Sequence, residues 1–252
     1  MKAWKTHALR LVALLGLSLL ALQLSFALRI GAMAFIDPQS TSFQRSEAWR
    51  LLVQRQHIAW SQQWVSYARI SPHLKRAVIA SEDAGFVEHS GVEWDAIERA
   101  WQRNERAEAR AEKAQVQAQA KAAGRAAAVP KVVGGSTISQ QLAKNLFLSG
   151  ERTPLRKAQE LLITGMLELL LSKQRILEIY LNNVEWGEGV FGAQAAARHY
   201  FHKDAASLSA YEAARLAVLL PAPKRFEKQP GSAYVSERAA TIVARMGSVQ
   251  LP

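Results

Sequence analysis

The stretch Thr153-Pro-Leu-Arg-Lys-Ala-Gln-Glu160-Leu-Leu-Ile-Thr-Gly-Met-Leu-Glu168-Leu-Leu-Leu171 decides the class of fold. Threonine before proline is a helix start, because the hydroxyl can cap an orphan backbone N–H and proline at the first helical position has no hydrogen bond to lose. Leu161, Leu162, Ile163, Met166, Leu167, Leu169 and Leu170 then clothe the helix almost all round, the pattern of a central helix. One polar stripe runs through that surface: Lys157, Glu160, Thr164 and Glu168, each three or four residues from the next along a helix. Burying a carboxylate costs several kcal/mol unless a partner compensates, so Glu160 should lie against a cation or line a wet cleft. Ion pairs with Arg156 and Lys157 would satisfy it equally.

Just upstream, Gly134-Gly-Ser-Thr-Ile-Ser-Gln-Gln-Leu-Ala-Lys-Asn145 opens another helix, and Thr137-x-x-Gln140 fits a capping box. Ile138, Leu142 and Leu146 form a buried stripe, whereas Thr137, Gln141, Lys144 and Asn145 gather on another side. Ser71-Pro72 starts a helix with Leu74, Ala77 and Val78 on its apolar face, ending near Ala84-Gly85. Glu82-Asp83 closes it, where the negative end of the helix raises a carboxyl pKa; that suits a general base, and an ordinary acidic turn fits as well. His89, taken alone, reads as a core or loop residue. A further helix is expected over Trp94 to about Asn104. Residues 103–130 form an Ala-, Gln-, Lys- and Arg-rich run that offers little to bury and reads as an exposed low-complexity insertion.

Downstream, helices are expected at Lys173 to Leu181, after Gly192, from Ser209 (a Ser-x-x-Glu box with Glu212) to Leu220, and from Ser236 to Met246. Strand signals are sparse, so the fold class is mainly α. Gly187-x-Gly189-x-x-Gly192 matches the dinucleotide fingerprint formally but follows a helical stretch, and the fingerprint has meaning only in a βαβ unit. No Walker motif, H-E-x-x-H, G-x-S-x-G or S-x-x-K occurs.

At the N-terminus, Lys2, Lys5 and Arg10 precede an apolar run from Leu11 to Leu28, which Ile30 to Ile36 prolong past a snorkelling Arg29. The expected organisation is a cytoplasmic start over 1–10, a transmembrane anchor over 11–36, a connector with short local structure over 37–70 and a catalytic domain over 71–252. The positive-inside rule puts that domain on the outer, periplasmic side of the bacterial inner membrane. A cleaved export signal ending at Ala32-x-Ala34 is the alternative.

The whole chain has 252 residues and a formal charge of +11, which asks for an anionic partner such as phospholipid, pyrophosphate or nucleic acid. Nucleic acid is set aside, because the basic residues cluster in an Ala-rich run without interleaved aromatics. The absence of cysteine excludes thiol nucleophiles, disulfide scaffolds and Cys-based metal sites.

Four ordered motifs carry a resemblance over roughly residues 70 to 225: Glu82-Asp-Ala-Gly-Phe86-Val-Glu-His89-Ser-Gly91, the Gly134–Asn145 stretch, Arg156-Lys-Ala-Gln-Glu160 and Lys173-Gln-Arg-Ile-Leu-Glu-Ile-Tyr-Leu-Asn182. In these the chain resembles the peptidoglycan glycosyltransferase family, glycosyltransferase family 51, with an unusually long stretch between the first two motifs. The resemblance implies a lysozyme-like helical lobe with a small membrane-proximal lobe. It also implies polymerisation of lipid II into β-1,4 glycan strands, with release of undecaprenyl pyrophosphate and inversion at the anomeric carbon. Glu82 matches the family's base. Glu160 matches its second carboxylate, which orients cations or helps hold a divalent ion, Mg or Mn, with no tightly bound cofactor. Lys144, Arg156 and Lys157 would stabilise the departing pyrophosphate. Thr137, Gln141 and Asn145 would hydrogen-bond phosphate or sugar, and Asp83, Phe86 and His89 would shape the cleft. The implied partners are lipid II, the growing strand, membrane lipids and other cell-wall synthesis or division proteins. A lysozyme-like glycan-cleaving enzyme, lytic transglycosylase or muramidase, is the alternative, and a non-enzymatic membrane-tethered binding module is a second.

Overall fold

The computed structural model describes residues 2–56, 58–93, 135–151 and 153–252. The helix expected over 94–104 and the insertion over 103–130 lie outside the described residues. In chain order the elements are α1 (Lys2–Ala32), α2 (Ser42–Arg55), β1 (Ser61–Gln62), α3 (Pro72–Glu82), α4 (Ile138–Phe147), α5 (Pro154–Leu170), α6 (Lys173–Asn183), β2 (Glu185–Gly187), β3 (Val190–Phe191), α7 (Ala193–Phe201), α8 (Ala210–Leu219), α9 (Pro223–Phe226) and α10 (Ala233–Met246). The fold is mainly helical, as expected.

Local capping chemistry sets most boundaries. Thr137 with Gln140 and Ser209 with Glu212 both close complete capping boxes. The Ser71 hydroxyl accepts from the His73 N–H, and Thr153 accepts from Arg156 N–H ahead of Pro154. Helix α10 begins three residues before Ser236 because Ser232 accepts from the Val235 N–H and caps the extra turn. Residues 37–70 depart from the connector reading: Thr41 and Gln44 make a third capping box, and a 14-residue helix, α2, follows.

Helix α5 also departs from expectation. It buries only Glu160, Ile163, Thr164 and Leu167, while Leu155, Leu162 and Leu169, seven residues apart and so on one line, are 82%, 54% and 83% exposed. It is an edge helix with two apolar faces, not a central one. Beside the exposed leucines lies α1. Gln23 and Gln159 exchange side-chain hydrogen bonds at 2.9 and 3.1 Å, and Phe26 meets Phe147 edge-on with ring centroids 5.3 Å apart. Arg29, expected to snorkel, instead stacks its guanidinium 5.0 Å from the Phe147 ring centre. Ile30 and Met33 enter the core, and the Met33 carbonyl accepts from Arg175 Nε at 2.7 Å. Helix α1 is long and apolar enough to cross a membrane from His7 to Ala32, and its last turns are joined to the globular lobe.

The sheet has strand order β1-β3-β2, with β2 and β3 antiparallel and β1 parallel to β3. At Gly189, φ is +72° and a Cβ would stand 2.0 Å from the Ala59 carbonyl oxygen, so only glycine lets β1 approach the hairpin. The three-glycine pattern therefore builds a hairpin, not a phosphate loop. Trp186, Tyr180 and Phe86 are fully buried at the centre of the lobe. Helix α3 packs against α8 and α10, and α4 against α2, α5 and α6, which brings the end of α3 to the start of α4.

Candidate active site

The turn after α3 is tied to the N-terminus of α4 by a chain of hydrogen bonds built from the first two motifs. The Gly91 N–H donates to His89 Nδ1 at 3.1 Å, so the ring proton sits on Nε2, which donates to Asp83 Oδ1 at 2.7 Å. Asp83 Oδ2 accepts from the Ile138 N–H at 2.9 Å, at the positive end of α4. Thr137 Oγ1 donates to the Gly91 carbonyl at 2.7 Å. Gly91 itself, at φ +85°, has no room for a Cβ: Thr164 Cγ2 and Glu168 Cγ would lie 2.7 and 2.8 Å away. Phe86 is fully buried beneath this turn, with Lys173 Nζ 4.6 Å from its ring centre. Asp83, Phe86, His89 and Thr137 thus hold the two helix ends together from behind.

Their neighbour Glu82 is half-buried, with Oε2 accepting from Gln141 Nε2 at 3.0 Å and Oε1 only 3.4 Å from Ser81 Oγ. Burial raises its pKa above the ordinary carboxylate value. Gln141, Ser81 and Arg238 of α10 work against that rise, and Asp83 adds to it.

Gln141 is also one wall of a cavity of about 540 Å³. Lys144 and Asn145 continue that wall along α4, and Arg156 faces it from the first turn of α5. Behind Arg156 lies Glu160, whose side chain is 4% exposed. Its Oε2 accepts from Arg156 Nη1 at 2.9 Å, and its Oε1 is paired with Lys157 Nζ. Arg156 Nε is buried and finds no acceptor among the described residues.

Of the sequence-predicted site residues, then, Gln141, Lys144, Asn145 and Arg156 line the cavity directly. Neither carboxylate lines it: Glu82 is bonded to Gln141 and Glu160 to Arg156, each one residue removed from the cavity. Lys157 clamps Glu160 with its amine at the surface.

The opposite wall was missed from sequence. Phe43, Ser46 and Glu47 of α2, Glu185 of β2 and the segment from Leu220 to Pro223 supply it. The Thr41-x-x-Gln44 capping box was the one local signal for α2. Glu185 is 6% exposed, and burial pushes its carboxyl up to about 7; Glu47 adds to the rise, while Lys224 and Arg50 oppose it. Lys224 Nζ is paired with Glu47 and lies 3.5 Å from Glu185 Oε1. The lining therefore combines cations from α4 and α5 with carboxyls from α2 and β2 that Lys224 partly neutralises.

Asp83, His89 and Glu93 bring three ligand atoms within 4.8 Å of one another. They do not fit a divalent ion. An ion on His89 Nε2 would need the ring proton on Nδ1, where the Gly91 N–H already donates, and both Asp83 oxygens are occupied. Glu160 is engaged likewise.

Residues 51–115 and 112–247 match the protein family described as Transglycosylase. The biosynthetic peptidoglycan transglycosylase of Paraburkholderia phytofirmans is 49% identical over 240 residues, covering 95% of this chain and 91% of that relative. The protein of the same description from Burkholderia thailandensis is 51% identical over 233 residues, covering 92% of this chain and 83% of that relative.

Proposed function

Because the chain belongs to the transglycosylase family, whose helical domain is lysozyme-like, we propose that it is a peptidoglycan glycosyltransferase of cell-wall synthesis that polymerises lipid II. The matched relatives are biosynthetic by name, and the glycan-cleaving alternative is set aside with them. The sugar hydroxyl of the acceptor is a poor nucleophile until a base takes its proton. Glu82 is that base: half-buried, raised in pKa and hydrogen-bonded to Gln141, which lines the cavity. The hydroxyl oxygen bonds to the anomeric carbon of the donor as the bond to the pyrophosphate breaks, and the proton passes to Glu82. Attack from the face opposite the leaving group inverts the α-linked donor to a β-1,4 product.

The charge developing on the pyrophosphate is met by Lys144 and Arg156 on the cavity wall. Glu160 does not touch substrate in this scheme. Sealed against Arg156 and Lys157, it fixes where those cations point. The family calls for no tightly bound cofactor, and since neither carboxylate cluster fits Mg or Mn, no step is routed through a metal.

The protein is a single-pass membrane protein, and we assign Lys2, Lys5 and Arg10 to the cytoplasm and the lobe to the periplasmic side. From His7 to Gln23, where α1 meets α5, the helix rises only about 24 Å at 1.5 Å per residue, short of a hydrocarbon core of about 30 Å. The leucine edge of α5 lies beside that junction, so membrane lipid is its natural partner and the cleft sits at the depth of its lipid-linked substrate.

The observation that carries this reading is the Glu82–Gln141 pair beside the Lys144–Arg156 wall. It is tested with Glu82→Gln in detergent, following polymerisation of labelled lipid II. Polymerisation should fall by at least about 100-fold, the lower range for losing a general base, with an unchanged circular-dichroism melt. Wild-type turnover by the variant would refute the assignment.

A further inference from the structure

The orientation of the Glu82 carboxylate is set two residues away. Gln141, whose Nε2 donates to Glu82 Oε2 at 3.0 Å, accepts at its own Oε1 from the hydroxyl of Tyr180 at 2.9 Å. Tyr180 stands on α6 and is 1% exposed. Burial, reinforced by the charges of Glu82 and Asp83, pushes its ionisation well above the usual phenol range, so the hydroxyl keeps its proton. A donating phenol can meet only the carbonyl end of an amide. The amino end of Gln141 is thereby turned to Glu82, where it suits an ionised acceptor and would not suit a neutral donor. Oε2 carries the shorter bond from Gln141, whereas Oε1 accepts only a long 3.4 Å hydrogen bond from Ser81 Oγ and keeps a lone pair for an incoming proton.

We propose that Tyr180 is a positioning residue for the transfer reaction, locking the Gln141 amide so that Glu82 presents Oε1 to the acceptor hydroxyl. Tyr180 touches no substrate itself, and the cavity wall it supports is Gln141. The inference rests on the reading of Glu82 as base. The charged and polar groups that face Glu82 are Ser81 on α3, Asp83 just after it, Gln141 from α4, Tyr180 from α6 and Arg238 from α10. Among these, Gln141 is the largest influence holding the Glu82 pKa down. When Tyr180 loses its hydroxyl, the amide is released to turn toward the Ser136 carbonyl, already 3.5 Å from its Nε2, and burial then acts on Glu82 with less opposition.

The test measures kcat and KM for lipid II against pH, using the full chain in detergent, for Tyr180→Phe, Gln141→Leu, the double variant and Glu82→Gln. Tyr180→Phe keeps the buried ring and should lower kcat about tenfold, a fraction of what a positioned base contributes, with KM within about twofold. Its acid limb should rise by roughly 0.5–1 pH unit. Gln141→Leu should raise the same limb, and the double variant should be no worse than Gln141→Leu alone, since both cut one relay. Should Tyr180→Phe melt well below wild type, Gln141→Leu, at a half-exposed position, decides by its acid limb. Losses that multiply in the double variant, or a wild-type acid limb in both single variants, overturn the inference while leaving Glu82 as base. Wild-type turnover by Glu82→Gln overturns both.

Discussion

Replacing Glu185 by glutamine should stabilise the protein in alkaline solution and hardly at all in acid. The folded state raises this carboxyl from the ordinary 4.5 to about 7, mainly through burial on β2. A raised acid pKa means that the native state holds the proton more tightly than the unfolded chain. Below pH 4.5 both states are protonated and Glu185 costs nothing. Between 4.5 and 7 the unfolded chain gains by ionising while the native state does not, so stability falls, and above 7 the full penalty remains. At about 1.4 kcal/mol per unit, the interval corresponds to about 3 kcal/mol at pH 8.5 and about 1 kcal/mol at pH 5. Glutamine keeps the shape and drops the charge. With roughly 2–4 °C per kcal/mol for a chain of this size, the variant should melt about 6–12 °C above wild type at pH 8.5 and within about 4 °C of it at pH 5. Melts of the full chain in detergent, followed by circular dichroism at both pH values, measure the difference. An offset equal at the two values would refute the reasoning, because it would mean that Lys224 already neutralises Glu185 in the native state.

Two further substitutions test the frame around the site. Glu160→Ala leaves Arg156 and Lys157 without the carboxylate that both grip; stability should fall by roughly 3 kcal/mol and KM for lipid II should rise, measured by urea unfolding and initial rates, and unchanged values of both would exclude Glu160 as the cation clamp. Gly189→Ala forces a Cβ against the Ala59 carbonyl at a φ of +72°; a loss of about 2–4 kcal/mol is expected, read from the thermal melt, and a wild-type melt would show that β1 can leave the hairpin freely.

What the chain discloses in advance follows from the range of the interactions involved. Capping boxes at Thr137 and Ser209 are legible because their donors and acceptors lie three residues apart, and the structure contains both. The same logic applied to Thr41 and Gln44 would have found α2 and with it Phe43, Ser46 and Glu47 on the far wall. Helix α5 shows the limit of periodicity. Its pattern reports which positions are apolar and not what will cover them, so Leu162 and Leu169 read as core although they are 54% and 83% exposed. The leucine side lies beside α1, which Gln159 meets through Gln23.

The candidate site divides in the same way. Glu82, Gln141, Lys144 and Arg156 were reachable because each motif is contiguous, and one α4 face carries two of them. Tyr180 and Glu185 were not, since neither side chain has a local partner: Tyr180 meets Gln141 across 39 positions of chain, and Glu185 meets Lys224 across a similar distance. Such pairs exist only after α6 has packed on α4 and α9 on β2. Tyr180 lies inside the fourth motif, yet its contact with Gln141, like that of Glu185 with Lys224, is set by tertiary packing. Variants of Tyr180 and Glu185 should therefore alter pH dependence, whereas variants of Glu82 should abolish turnover.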